Sequence, residues 1–313
     1  MGNQKLLERA FQRGSQLTLK NPIYRDWIER FIVDEIQADV GTKGDITSRA
    51  VLPTKSSMKA VIMTRQSGVL AGLEEACFLF RKNGLKPIPK KKDGQRIKKG
   101  EIVLEIYGDT RELLRVERSV VDLLQRMSGI ATLTSELVKK IKRRVHIAPT
   151  RKTQWRYLDK KAVFLGGGLT HRLALWESIL IKDNHLYALK RQGVKDPITV
   201  SLQRAWKQKK KAVFIEIEVT TTKEALRAAR VMQGLRKKGD ACFIMLDNMP
   251  PQAIRATLKA LDTHHLRDGI FIEASGGITP KNIASYAACD VDVLSSGFLT
   301  HSAPALDMCQ LIL

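Results

Sequence analysis

The sequence predicts an α/β fold in two parts, a small N-terminal α/β domain followed by a larger region of repeated strand and helix units. Three observations carry this. A helical stretch around residues 27–38 precedes β-like runs at 58–64 and 102–107. A long segment with helical period occupies 113–141. Beyond Val145, strand-like runs at 213–219, 242–246, 270–274 and 291–294 alternate with helical patterns, which implies a parallel sheet or barrel.

Each element has a local cause. In the first part the β-like runs are separated by turn signals at Gly68, Gly84, Asp93-Gly94 and Lys99-Gly100. In the long helix, Leu113, Leu114, Val116, Val120, Val121, Leu124 and Met127 recur at three- and four-residue intervals, and Gly129 is expected to break it. Its first half reads as a connector and its second as the start of the next domain. Further on, Thr279-Pro280 reads as a helix start with Thr as N-cap and Pro at the first helical position, and Thr222-Lys223-Glu224 opens another helix.

Composition narrows the function classes. The chain has 313 residues, 43% of them hydrophobic, and a formal charge of +22 at a pI near 10.0, so its surface field attracts anions. The lysine clusters at 90–92, 139–140, 209–211 and 237–238 read as solvated loop and helix-end charge. Aromatics are only 6% and do not interleave with the basic residues, so nucleic acid is not expected as a partner. A steep salt dependence of DNA or RNA binding without small-molecule chemistry would favour that other class. The four cysteines, Cys77, Cys242, Cys289 and Cys309, are too scattered for a zinc motif and read as buried thiols in a reducing compartment. Residues 1–20 are charged throughout and no run approaches the roughly 18 apolar residues of a membrane span, so a cytoplasmic protein with no membrane partner is expected.

The polar motifs fall at strand ends. Thr150-Arg151-Lys152-Thr153, Glu218, Asp247-Asn248, Ser275-Gly276-Gly277 and Ser295-Ser296-Gly297 each close a strand-like run, and in a βα barrel those ends share one face. Arg151, Lys152, His171, Arg172 and Lys182 form a cationic set suited to a small, multiply carboxylated substrate. Alternation along 214–219 puts Glu216 and Glu218 on one strand face. Glu218 with Asp247 then suggests ribose hydroxyl and Mg²⁺ binding, with internal pairing to Lys152 or Lys182 as the competing reading. Ser275, Gly276 and Gly277 ahead of a helix, with Ser295, Ser296 and Gly297 as a second half, read as a phosphate cradle. His264 and His265 read as surface residues, and His146 has no assigned role.

Together these motifs resemble the quinolinate phosphoribosyltransferases. The resemblance runs from about Asp39 to Asp307. It includes Gly44-Asp45-Ile46-Thr47, Gly68-Val69-Leu70-Ala71-Gly72, Glu117-Arg118, Ser128-Gly129-Ile130-Ala131-Thr132, the Thr-Arg-Lys-Thr at 150–153, His171-Arg172, the Ile-Lys-Asp-Asn-His at 181–185, Leu246-Asp247-Asn248, the Glu-Ala-Ser-Gly-Gly-Ile at 273–278 and Leu299-Thr300-His301-Ser302. It implies an N-terminal α/β sandwich over residues 1–127 with its connector helix, an incomplete parallel α/β barrel over 128–300, and a segment 301–313 packing back on the first domain. It also implies a homodimer or a multiple of dimers, in which Arg118 reaches the partner chain's site. Arg151, Lys152, His171, Arg172 and Lys182 would hold the quinolinate carboxylates, Glu218 and Asp247 would serve ribose and Mg²⁺, and the two Ser/Gly turns would take phosphate.

The implied reaction joins quinolinate to phosphoribosyl pyrophosphate, yielding nicotinate mononucleotide, carbon dioxide and pyrophosphate, with Lys152, Lys182, Glu218 and Asp247 as the catalytic set. Two departures stand out. Gln154-Trp155-Arg156 is shorter than the family's usual Thr-Pro-Gly-Leu-Arg, and Thr170 stands where Asn is usual. Relatives of the same fold associated with molybdenum transport share the glycine run and the His-Arg. The intact Lys182-Asp183-Asn184-His185 favours the quinolinate enzymes.

Overall fold

The computed structural model describes residues 2–52, 56–142 and 145–313. The chain divides into two units, neither continuous in sequence. One comprises 1–13, 136–153 and 168–301, and the other 14–135, 154–167 and 302–313.

The second of these units is built on a four-stranded antiparallel sheet, in the order Met308–Ile312, Ser57–Thr64, Ile102–Asp109, Lys86–Pro89. The helices Pro22–Val40 and Leu73–Lys82 belong to the same unit, as does most of the helix Thr110–Lys140. Asn21 caps the first of these through its side chain and Pro22 supplies the preset φ of a first helical position. Gly129 does not break the long helix. A Cβ there would lie 2.0 Å from the Pro304 carbonyl oxygen, so glycine serves close packing against the Pro304-Ala305 backbone, and packing outweighs its modest helix penalty.

Two groups of buried polar side chains in this unit are paired. Lys161, nearly buried, donates to Glu75 Oε1 at 2.6 Å and also contacts Glu74, while the Tyr24 hydroxyl donates to the same Glu75 oxygen at 2.8 Å. Burial pushes the Glu75 carboxyl up, against the opposing charge of Lys161. Arg126 grips the buried Asp159 with two bonds of 2.9 and 2.8 Å.

The other unit carries a six-stranded parallel sheet in the order His146–Pro149, Val293–Ser296, Ile270–Ser275, Cys242–Asp247, Ile215–Val219, Ile179–Ile181. The two edge strands are consecutive in sequence and do not pair, so the sheet is an incomplete barrel. Its central strands are buried on both faces, as parallel strands with helical crossovers must be. The crossover helix Thr222–Leu235 opens with a reciprocal Thr221–Glu224 capping box. The expected helix start at Thr279-Pro280 is displaced: the helix is Ile283–Ala287, and Asn282 Oδ1 accepts the Thr279 N–H at 2.8 Å, closing a turn before it. An aromatic stack of Phe11, Phe243 and Phe271, with Phe214 set edgewise, fills the interior of the sheet.

Candidate active site

The ends of all six parallel strands contribute to one cavity of about 670 Å³. Residues Thr150, Arg151 and Lys152 enter it from the first edge strand, Lys182 from the other, and Glu218, Asp247, Ser275 and Ser295 from the four between. This follows from connectivity, since in a parallel sheet every C-terminal end opens toward the same side.

Of the residues expected at the site, the structure brings together Arg151, Lys152, His171, Arg172, Lys182, Glu218, Asp247, Ser275, Gly276, Gly277, Ser295 and Gly297. Ser296 does not line the cavity, and its hydroxyl donates to the Ile278 carbonyl at 2.6 Å. Arg118 belongs to the other unit. There it is 64% exposed, pairs at 3.3 Å with Asp122, and borders a separate hollow of about 250 Å³ with Phe31, Glu35, Asp39 and Trp155.

Electrostatics divide the cavity. Lys182 Nζ donates to Glu218 Oε2 at 2.7 Å, which is the internal pairing anticipated for that carboxylate. Burial, and then the nearby charge of Arg151, lower the pKa of Arg172. Arg172 spends Nη1 on the Ser178 carbonyl at 3.0 Å, and its Nε is buried without a protein acceptor. An unpaired guanidinium donor in a cavity wall is a recognition element for a carboxylate.

The Gly276-Gly277 turn is a loop cradle and not a helix terminus, because the helix that follows begins only at Ile283 and has five residues. Both glycines have positive φ, 90° and 62°. A Cβ on Gly276 would lie 2.7 Å from the Asn248 backbone nitrogen, so only glycine lets the two strand-end loops approach.

Sequence reasoning missed a buried cluster behind the cations. His171 Nε2 lies 3.4 Å from a carboxylate oxygen of Glu216 and 3.4 Å from one of Glu273, both carboxylates being fully buried. Ser295 Oγ donates to the other Glu273 oxygen. Burial and then Glu273 push the Glu216 carboxyl up to about 7. Burial alone would lower His171, yet the two carboxylates outweigh it and raise the imidazole to about 8. The cluster therefore holds an extra proton near neutrality. Nδ1 accepts the Arg172 N–H at 2.6 Å. The three groups titrate as one coupled set. The same Nδ1 contact disfavours a metal on Nε2, because a metal-bound imidazole donates from its other nitrogen. The signal was present in the strand alternation, which placed Glu216 beside Glu218 and would place Glu273 beside Ser275.

The two departures from the family pattern also have places. Trp155 lies over the Arg126 guanidinium at 5.2 Å and edge-on to Phe31 at 5.6 Å. Thr170 bonds the Phe11 carbonyl through its hydroxyl at 2.8 Å.

Six strand ends, a cationic wall, two carboxylates and a glycine turn give this α/β fold a site that can take a small polyanion, as an enzyme's would. The chain belongs to the quinolinate phosphoribosyl transferase family, whose C-terminal domain model matches residues 130–310 and whose N-terminal domain model matches 45–128. It is 39% identical over 270 residues to a protein of Archaeoglobus fulgidus named probable nicotinate-nucleotide pyrophosphorylase (carboxylating), covering 84% of this chain and 96% of that one. A Bacillus subtilis protein of the same name is 38% identical over 276 residues, covering 86% and 88%. The solved nicotinate-nucleotide pyrophosphorylase of Francisella tularensis superposes with a TM-score of 0.78 at 28% identity, covering 92% of this chain and 96% of that one.

Proposed function

We propose that the chain is a quinolinate phosphoribosyltransferase of NAD biosynthesis. It transfers the phosphoribosyl group to the quinolinate ring nitrogen and releases pyrophosphate and carbon dioxide, leaving nicotinate mononucleotide. The observation that carries this reading is the division of one cavity into a cationic wall of Arg151, Lys152, Arg172 and Lys182 and a carboxylate side of Glu218 and Asp247, with the Gly276-Gly277 turn alongside.

On this reading the cationic wall fixes the two carboxylates of the pyridine, so that its ring nitrogen meets the anomeric carbon as pyrophosphate departs. Positioning of this kind supplies much of the acceleration in a displacement that needs no covalent intermediate. The carboxyl group adjacent to the alkylated nitrogen then leaves as carbon dioxide, its bonding electrons held on the ring carbon beside the positive nitrogen until that carbon takes a proton. Lys152 and Lys182 stabilise charge on the phosphate and carboxylate oxygens. Asp247 and Glu218 suit the ribose hydroxyls and a Mg²⁺ ion. These are hard oxygen donors at neighbouring strand ends, and Mg²⁺ typically binds through one or two carboxylates plus substrate phosphates. That ion would neutralise the departing pyrophosphate.

We further infer a homodimer in which Arg118 of one protomer completes its partner's site. Its exposure and its loose ion pair with Asp122 support this. Among the described residues no helix is long and apolar enough to cross a membrane.

Purified protein incubated with quinolinate, phosphoribosyl pyrophosphate and Mg²⁺ should form nicotinate mononucleotide and carbon dioxide in equal amounts. Absence of both products, with binding of the substrates intact, would overturn the assignment.

A further inference from the structure

His171 holds a left-handed backbone conformation at φ 53°, uncommon for non-glycine residues though less so for His, and its surroundings help to fix it. The residues that fix it come from the N-terminal segment. The Phe11 ring lies 4.3 Å from the imidazole and stacks on Phe243 at 4.4 Å on its way into the core. The Thr170 N–H and hydroxyl both donate to the Phe11 carbonyl, at 3.0 and 2.8 Å, and the Arg13 N–H donates back to the Thr170 hydroxyl at 2.8 Å. On the far side of Arg172, the Arg13 guanidinium meets Glu177 at 2.8 Å, and the other Glu177 oxygen accepts the Leu173 N–H at 2.6 Å. The loop is therefore held just before and just after Arg172 by the same short segment.

Nδ1 of His171 accepts the Arg172 N–H, and Nε2 faces the Glu216 and Glu273 carboxylates at 3.4 Å from each. The imidazole is thus turned toward groups of the protein itself. What it does is anchor the backbone from which the Arg172 guanidinium enters the cavity wall.

We propose that residues 11–13 are a positioning element of the active site: Phe11 and Thr170 seat the His171 ring, and His171, backed by Glu216 and Glu273, aims Arg172 at a substrate carboxylate. This rests on the reading of Arg172 as a carboxylate ligand. Phe11, Thr170 and Glu216, none of which lines the cavity, are positioning residues that act on the substrate through Arg172.

The test compares Thr170→Val, Thr170→Ser and Phe11→Leu in the full chain with Arg172→Lys as reference, measuring kcat and the KM of each substrate. Thr170→Val removes one hydroxyl at constant shape, and Phe11→Leu keeps the core apolar while deleting the ring. Each should raise the quinolinate KM roughly five- to thirtyfold, with kcat and the phosphoribosyl pyrophosphate KM within about twofold, and Thr170→Ser should restore it. Unchanged quinolinate KM in both variants, while Arg172→Lys raises it, overturns the proposal and leaves the Arg172 reading standing. A rise of both KM values together without rescue by Ser marks general loosening and overturns it as well. If Arg172→Lys itself leaves the quinolinate KM unchanged, the carboxylate reading falls and takes the proposal with it.

Discussion

Lys182 and Glu218 face each other across the ends of adjacent parallel strands, Nζ to Oε2 at 2.7 Å, with the carboxylate buried and the ammonium group partly in solvent. Each compensates the other, so neither acts alone. We expect Glu218→Gln to lower kcat/KM for phosphoribosyl pyrophosphate at least about tenfold and Lys182→Ala to raise the quinolinate KM comparably. The double variant should lose less than the sum of the two, because residues in one ion pair couple by about 0.5–3 kcal/mol. Strict additivity in a double-mutant cycle would show that the pair is incidental to turnover.

Substrate selectivity follows from Arg172, whose Nε is buried without a protein acceptor. Nicotinate lacks the carboxyl group next to the ring nitrogen, so binding it would leave a desolvated cation unpaired. A site built to bond a missing group discriminates strongly, and kcat/KM for nicotinate should be lower than for quinolinate by roughly a thousandfold or more. Comparable turnover of the two acids would rule out this use of the cationic wall.

Much of this arrangement could be read from the sequence, and the parts that could not have physical reasons. The strand-end positions of Arg151, Glu218 and Asp247 were legible because period and turn chemistry are local signals, whereas the strand Ile179–Ile181 ahead of Lys182 is too short to show a period. The interruption expected at Gly129 was wrong, because glycine's local preference yields to close contact with the Pro304 backbone, which lies far along the chain. The helix expected at Thr279-Pro280 yields to Asn282, whose side chain takes the Thr279 N–H and delays the start. The contact of Phe11 with His171 joins residues 160 positions apart, and no periodicity announces it.

In the unit with the antiparallel sheet, Lys161 is the cation that compensates the fully buried Glu75. Lys161→Met should destabilise the fold by about 3–5 kcal/mol, since removing one partner leaves the other charge uncompensated. Burial already raises the Glu75 pKa, and loss of Lys161 raises it further, so the folded variant binds a proton more readily than its unfolded chain. Its stability deficit should therefore narrow as pH falls toward the carboxylate range. Adding Glu75→Gln should recover part of the loss. Urea unfolding at two pH values measures both effects, and a deficit under about 1 kcal/mol would show that water reaches the site.

Cys77 and Cys242 should be unreactive in the folded protein. Burial pushes Cys77 up to about 11 and Cys242 up to about 12, so little thiolate is present at pH 8. Iodoacetamide at that pH should label the half-buried Cys309 first, and Cys77 and Cys242 only after denaturation. Rapid labelling of Cys242 in the native state, read by peptide mass spectrometry, would contradict its burial at the start of a central strand.

Arg118 provides the sharpest test of assembly. It is 64% exposed and among the described residues its one ion pair is with Asp122 at 3.3 Å, so its guanidinium is open to a second chain. Beside it Val120, Val121 and Leu124 are buried, which leaves the exposed, charged face of the helix for contact. If Arg118 works in its partner's site, Arg118→Ala and Asp247→Ala are each inactive as homodimers for different reasons. A hybrid of the two has one site carrying both lesions and one carrying neither, because a two-fold interface exchanges the same residue in both directions. Mixing the inactive parents should then restore up to about half of the normal activity per hybrid dimer. Failure to recover activity after subunit exchange has been confirmed by mass spectrometry would place Arg118 outside the partner's site.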